Sequence, residues 1–139
     1  MQEYNIDKDI QLICVRATSF PSGIAEAFAK LHELLPDAAA RASYGISHGS
    51  ADGIIYMAAA EEQYPGEAGE YGCEIFIVKK GKYKGRTVNW KENSAQIGAT
   101  FQELLADPRL DLSGACVEKY FNRNEVQCMV RLEDTANYL

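Results

Sequence analysis

The sequence lacks the cysteine and histidine patterns that zinc sites and most nucleophilic enzymes require. It has 4 cysteines, none of them in a C-x-x-C pair, and 2 histidines. Without that spacing, neither a zinc site nor a cysteine–histidine catalytic pair is predicted. The motif of a serine nucleophile elbow and a second carboxylate at fixed spacing are missing as well. We therefore predict no metal, no cofactor, and free cysteines in a reducing cytoplasm.

Long apolar runs and basic stripes are also missing. No apolar stretch approaches the ~20 residues that a membrane-spanning helix needs, and residues 1–4 carry no basic, apolar start of a signal peptide. The formal net charge is −6, and the basic residues cluster only at positions 79–86. Phosphate contacts need clustered Lys and Arg. We therefore expect a cytoplasmic protein that binds neither membranes nor nucleic acids directly.

The composition is that of a globular domain. The chain has 139 residues, of which 47% are hydrophobic and 24% are charged. This length can bury a core of ordinary size, and the hydrophobic content is too high for a disordered chain.

The apolar spacing alternates between the periods of strands and helices. Ile24, Phe28 and Leu31 recur at helical spacing and predict a helix over 24–35. A second helix is predicted from Asn93 onward, where Ile97, Phe101 and Leu104 recur in the same way. Runs rich in β-formers predict strands elsewhere. These strand regions are 4–18, 42–47, 54–60, 73–90, 116–121 and 126–132.

The order strand, helix, strand, strand occurs twice. A shift of 73 residues places Ile24 on Ile97 and Phe28 on Phe101. We predict one α+β domain over 1–139, built from two tandem units with pseudo-twofold symmetry. In this prediction an antiparallel sheet carries both helices on one face and a ligand groove on the other. The predicted parts are repeat 1 (about 4–62), a connector (about 63–72), repeat 2 (about 73–133) and a polar tail (134–139).

The strand over 116–121 contains one carboxylate among apolar and aromatic residues. Strand alternation places Glu118 and Tyr120 on one face. We expect Val117 and Phe121 to face the helices, so that Glu118 and Tyr120 face the groove. An exposed Glu on a solvated strand is the alternative.

Small and aromatic residues complete the candidate site. The same shift places Gly45 on Glu118 and Ser47 on Tyr120, which leaves space opposite the carboxylate. Tyr56 and Trp90 are aromatic residues that could reach the same groove, or they could be ordinary core residues. Aromatic rings beside a carboxylate suit a lipophilic cation. A carboxylate buried beside rings could instead act as a general acid or base.

Three runs of the sequence resemble one known family. The run from Ile75 to Trp90, with Gly81-Lys-Tyr83 inside it, resembles the strand that opens the second half of GyrI-like small-molecule-binding domains. Tyr56-Met-Ala-Ala-Ala-Glu-Glu resembles the strand before it. Val117-Glu-Lys-Tyr-Phe-Asn resembles the family's Phe-Glu-x-Tyr strand. The resemblance covers about residues 4–133, and such domains bind effectors in AraC-type and multidrug-responsive transcription regulators.

The resemblance implies a ligand groove that Glu118 faces and in which it contacts cationic or lipophilic compounds. It also implies two alternatives, because some similar proteins hydrolyse cyclopropane-bearing natural products and others bind and inhibit DNA gyrase. The sequence departs from the family at Lys80, where a proline or a small residue is usual, and in the turn before each helix.

We expect a stand-alone multidrug-binding module that recognises a lipophilic, aromatic or cationic small molecule and acts as a regulator or a sequestering protein. The expected ligand-binding residues are Glu118, Tyr120, Trp90, Tyr56, Gly45 and Ser47. If the chain is an enzyme, the resemblance implies a hydrolase with Glu118 as the general base and Tyr120 as its helper. A protein partner is the third alternative.

Overall fold

The computed structural model describes residues 1–134, which form two compact units. The first unit is Ile10–Val78, and the second joins Met1–Asp9 to the described residues from Lys79 onward. The strand pairs inside each unit are antiparallel, and helices pack on both sheets, which confirms the predicted α+β class. The helices are α1 (Ile24–Leu34), α2 (Glu67–Glu70) and α3 (Ala95–Leu105). The strands are β1 (Gln2–Ile6), β2 (Ile10–Arg16), β3 (Ser43–Ser50), β4 (Gly53–Glu61), β5 (Glu74–Val78), β6 (Gly81–Asn89), β7 (Cys116–Tyr120) and β8 (Glu125–Arg131).

The sheet of the first unit has the strand order β3-β4-β2-β5. Helix α1 packs on β4 and β2. Its apolar residues fall on one stripe because they recur at the helical period, and Leu31 is fully buried. The stripe meets Ile13 and Val15 from β2 and Ala58 and Ala60 from β4. The small alanine side chains let the helix approach the sheet closely.

A buried ion pair fixes the segment that the sequence analysis treated as a connector. Arg41 Nη2 lies 2.6 Å from Glu67 Oε2, and the two side chains are only 4% and 2% exposed. Glu67 also accepts a hydrogen bond from the backbone N–H of Gln63. The hydrogen bond from Arg41 holds the pKa of Glu67 below its usual value. The predicted loop therefore contains the single turn α2, anchored to the first unit.

The sheet of the second unit has the strand order β1-β6-β8-β7. Helix α3 packs on β8 and β6. Phe101 and Leu104 project from α3 into a core that includes Val88 from β6 and Val126 and Val130 from β8. Both units thus bury the apolar stripe of one long helix against the middle strands of a four-stranded sheet.

The predicted helices and strands are confirmed to within a few residues, but the repeat boundaries differ. β1 pairs with β6 in the second unit, and β5 pairs with β2 in the first. Each unit therefore contains one strand that the sequence analysis assigned to the other repeat. Periodicity identifies a strand but not its hydrogen-bond partner, which explains the difference. The one-domain organisation stays a prediction, and residues 135–139 of the polar tail lie outside the described chain.

The two units have the same internal topology. In the first, β2 leads through α1 to the hairpin β3–β4, and β4 pairs with both β3 and β2. In the second, β6 leads through α3 to the hairpin β7–β8, and β8 pairs with both β7 and β6. The longest helices of residues 1–134 have 11 residues, and none in this range could cross a membrane.

We expect Gly85→Ala to destabilise the protein by ~2 kcal/mol or more, because close packing leaves no room for a side chain there. A Cβ at Gly85 would overlap the carbonyl oxygen of Cys128 and would lie 2.9 Å from Cβ of Met129. The control is Gly98→Ala on α3, where no atom lies within 4 Å of the added Cβ. This control should gain about 0.5–1 kcal/mol from helix propensity. Urea unfolding followed by circular dichroism checks both, and a Gly85→Ala variant as stable as the wild type would contradict the packing.

Candidate functional site

Glu118 is a buried carboxylate on the helix-bearing face of the second unit's sheet. It lies on β7 and is 7% exposed. The antiparallel register places Glu118 opposite Cys128 and Tyr120 opposite Val126. Directly opposite residues share a face. Cys128 and Val126 belong to the core under α3, so Glu118 and Tyr120 lie on that same face.

This placement corrects the prediction that Glu118 and Tyr120 face away from the helix. Val117, which was expected to face the helix, lies opposite Met129 on the other side of the sheet. Phe121, also expected to face the helix, is 50% exposed. The prediction was wrong because β7 has apolar residues on both faces, so its own alternation cannot identify the helix side.

The signal that would have identified the correct face is on the neighbouring strand. In β8, the apolar Val126, Cys128 and Val130 alternate with Gln127, Met129 and Arg131, of which only Met129 is apolar. The more apolar face of such a strand packs against the helix. Because Glu118 lies opposite Cys128, the register between β7 and β8 then places Glu118 on the same face.

Tyr120 and Trp90 are the aromatic neighbours of this carboxylate. The hydroxyl of Tyr120 donates a hydrogen bond to Oε1 of Glu118 at 2.6 Å. The rings of Tyr120 and Trp90 meet edge to face, with centroids 6.0 Å apart and an interplanar angle of 83°. We call Glu118, Tyr120 and Trp90 the aromatic–carboxylate cluster. These three predicted site residues all belong to the second unit, and its fold brings them into contact.

Backbone contacts position Trp90 directly after β6. Its backbone N–H donates to the carbonyl of Asn124 at 3.0 Å, which ties it to the β7–β8 turn. The indole Nε1 is buried and has no hydrogen-bond partner among residues 1–134. Nζ of Lys91 lies 6.0 Å from the centroid of the Trp90 ring. The ring of Trp90 therefore already has a cation near its face, and its N–H donor is unused in the described chain.

The electrostatic environment of the cluster is that of a protein interior. Burial raises the pKa of the Cys128 thiol to about 12, and the negative charge of Glu118 acts in the same direction. A thiol with this pKa is protonated at neutral pH and is a poor nucleophile. Cys128 is therefore a poor nucleophile, and Glu118, Tyr120 and Trp90 offer charge, hydrogen bonding and ring contact on this face.

The remaining predicted site residues belong to the first unit. Ser47 lies opposite Tyr56, and Gly45 lies opposite Ala58, which packs under α1. All of these residues therefore lie on the helix-bearing face of the first unit's sheet, again in contrast to the predicted open face. Tyr56 is 2% exposed. The single groove formed by all six residues stays a prediction.

Two phenylalanines that the sequence analysis did not assign to the site accompany Tyr56. The ring centroid of Phe20 lies 5.9 Å from that of Tyr56, and the centroid of Phe28 lies 6.4 Å away. Phe28 was recognisable as a residue of the apolar stripe of α1, which must face the sheet. Phe20 lies in an irregular segment, where no periodicity indicates which way a side chain points.

A separate surface pocket of about 410 Å³ lies within the second unit and contains none of the predicted site residues. Its lining is Asn5, Ile6, Asp7, Lys80, Gly81, Lys82, Arg131 and Asp134. Arg131 forms an ion pair there, with its Nη1 at 3.1 Å from Oδ2 of Asp111, and its Nη2 donates a hydrogen bond to the carbonyl of Lys80. Across residues 1–134, no cluster of His, Cys, Asp or Glu could hold a metal ion.

Comparisons with known proteins show the fold but no family. No family model matches the chain, and no curated protein matches it significantly. Among solved structures, that of SAV2435 bound to tetraphenylphosphonium matches with a TM-score of 0.63 and 10% sequence identity. The match covers 99% of this chain and 96% of that chain. At this identity the likeness establishes a shared fold.

We expect Tyr120→Phe to destabilise the protein by about 1–3 kcal/mol, because it removes a hydrogen bond to a buried carboxylate. Tyr64→Phe is the matched control, since the Tyr64 hydroxyl also donates to a carboxylate, Oε2 of Glu70, at 2.7 Å, but on the exposed surface. Its loss should cost no more than ~0.5 kcal/mol. Urea unfolding at neutral pH measures both variants. Equal losses would show that the Tyr120–Glu118 contact is as solvated as the surface pair.

Proposed function

We propose that this protein binds a lipophilic, aromatic cation at the aromatic–carboxylate cluster. The observation that carries the proposal is the buried carboxylate of Glu118, whose residue is only 7% exposed. Its Oε1 lies 2.6 Å from the hydroxyl of Tyr120, and the ring of Tyr120 contacts that of Trp90. Glu118 is the proposed anionic anchor, and the two rings are the proposed walls. The ligand class follows from the combination of charge and aromatic surface.

The charge of Glu118 favours a cation over a neutral or anionic ligand. Withdrawing a carboxylate from water is costly, and charge interactions strengthen as the surroundings become less polar. A cation that reaches this carboxylate gains more than it would from an exposed Glu. An anion of the same shape would be repelled by the same field.

The rings of Tyr120 and Trp90 favour a ligand that is itself aromatic. Edge-to-face contacts between rings add to the area that they bury, and a positive charge near a ring face is attracted by it. The ammonium group of Lys91, 6.0 Å from the centroid of the Trp90 ring, is a contact of the same kind and supports this proposal. The buried Nε1 of Trp90 offers one further donor to a ligand that carries an acceptor.

The shared fold with SAV2435 supports the same ligand class. That protein is described as bound to tetraphenylphosphonium, a cation that carries four phenyl rings. A fold can host unrelated functions, so the analogy adds weight only because this chain has its own buried carboxylate and rings. The GyrI-like resemblance points to the same class of ligand.

We extend the proposal to Tyr56, Gly45 and Ser47 of the first unit as further ligand-contacting residues. The small residues would leave room for ligand rings. Within this proposal the protein acts as a regulator or as a sequestering protein. Hydrolysis with Glu118 as base, and inhibition of a protein partner, stay predictions, because no described contact favours them over binding.

Titration with tetraphenylphosphonium, followed through the fluorescence of Trp90, tests the proposal. Trp90 is the single tryptophan of the chain and belongs to the cluster, so its emission reports directly on the site. We expect saturable binding to the wild type and a rise in Kd of about ten- to a hundredfold in Glu118→Gln, which keeps the shape of the side chain but removes its charge.

Glu26→Gln is the control, because Glu26 is exposed in the first turn of α1 and its replacement changes the net charge equally. Its Kd should stay within about twofold of the wild type. Circular dichroism verifies that all variants are folded. Equal Kd values for Glu118→Gln and the wild type would reject Glu118 as the anchor, and absence of binding to the wild type would reject this cation as a ligand.

A further inference from the structure

Strand β5 forms an apolar outer edge of the first unit's sheet. It pairs with β2 on one side, and no other strand of residues 1–134 pairs with it. Ile75 and Ile77 on this strand are 47% and 43% exposed. They stand in the uninterrupted apolar run Ile75-Phe-Ile-Val78. Proteins usually protect such edges with charges, proline or a bulge inside the strand, and β5 has none of these between Ile75 and Val78.

The outer edge of β1 in the second unit is different in composition. Its strand, Gln2–Ile6, reads Gln-Glu-Tyr-Asn-Ile, and Glu3 forms ion pairs with Lys82 and Arg109. A charged, polar edge of this kind discourages strand addition. The contrast singles out β5 as an edge suited to association.

The backbone hydrogen bonds show which groups of β5 point outward. The carbonyl of Gln11 on β2 accepts a hydrogen bond from the N–H of Glu62, which continues β4. The backbone groups of Gln11 therefore point toward β4, and Ile77, its neighbour on β5, is a non-hydrogen-bonded partner. The N–H and C=O of Ile77 must then point to the outer edge. By alternation, those of Ile75 point the same way.

We propose that β5 pairs antiparallel with β5 of a second copy of this chain, about a twofold axis at Phe76. In this register Ile75 lies opposite Ile77 of the second copy, and both residues have outward-pointing backbone groups. Such a pair exchanges both of its N–H···O bonds. The exposed isoleucines bury one another, and the sheet of the first unit continues into the second copy.

The charges at the two ends of β5 favour this antiparallel orientation. Glu74 begins the strand, and Lys79 and Lys80 follow its end. An antiparallel pair brings the Glu74 end of one copy to the lysine end of the other, whereas a parallel pair would place like charges together. Within one copy, Nη2 of Arg16 already forms an ion pair with Oε1 of Glu74 at 2.7 Å. Charge pairs between Glu74 of one copy and the lysines of the other therefore favour the antiparallel orientation and add little to the affinity of the dimer.

The dimer should depend on protein concentration, because one strand of 5 residues gives a small interface. Sedimentation velocity on the full chain measures it, with Ile77→Lys as the test variant. The matched control is Ile54→Lys, since Ile54 on β4 is also an exposed isoleucine, at 52%. We expect Ile77→Lys to raise the dimer Kd by ~tenfold or more and Ile54→Lys to leave it unchanged. A wild type that stays monomeric at all concentrations, or a dimer that Ile77→Lys does not weaken, would overturn the proposal.

A cysteine at the proposed axis tests the register without placing a charge on the edge. In Phe76→Cys the two introduced thiols would face each other as a non-hydrogen-bonded pair, with Cα atoms about 4.5 Å apart. Mild oxidation should give a covalent dimer on a non-reducing gel, and Ile54→Cys should not. Failure of Phe76→Cys to cross-link under conditions in which the native protein sediments as a dimer would overturn this register.

Discussion

The hydrogen-bonded register between β7 and β8 is the constraint on which the proposed site depends. It sets Glu118 opposite Cys128 and Tyr120 opposite Val126. Because the β8 residues belong to the core under α3, the register carries a carboxylate and a phenol onto an apolar face. A slip of one residue would exchange the two faces and present Val117 and Lys119 instead. The buried charge, its Tyr120 hydrogen bond and the contact with Trp90 therefore follow from strand pairing.

Much of the local structure could be predicted from sequence, because it depends on short-range periodicity. The stripes of α1 and α3 are visible in spacings such as Phe28 to Leu31 and Phe101 to Leu104. The face of Glu118 could not be read from β7 alone, since Val117 and Cys116 make both faces apolar. Contacts between residues that are distant in the sequence could not be predicted from periodicity either. They include the buried Arg41–Glu67 ion pair and the placement of β1 and β5 in units that differ from the predicted repeats.

The two proposals rest on different physical features of the same architecture. The ligand proposal rests on Glu118, a carboxylate buried at a position where an apolar residue would pack at lower energetic cost. The association proposal rests on the reverse feature, apolar residues at Ile75 and Ile77 where a polar residue would be safer. Glu118 is a charged residue in an apolar interior, and Ile75 and Ile77 are apolar residues on an exposed edge. Both departures occur in sheets whose other core positions are apolar.

Calorimetric comparison of tetraphenylphosphonium with tetraphenylborate tests the central claim most directly. The two ions have nearly the same size and the same four phenyl rings but opposite charge. If a buried Glu118 carboxylate anchors a cation, the phosphonium ion should bind the wild type at least ~tenfold more tightly than the borate ion, and Glu118→Gln should remove most of that difference. Equal affinity of the two ions for the wild type, or a preference that survives in Glu118→Gln, would contradict the account.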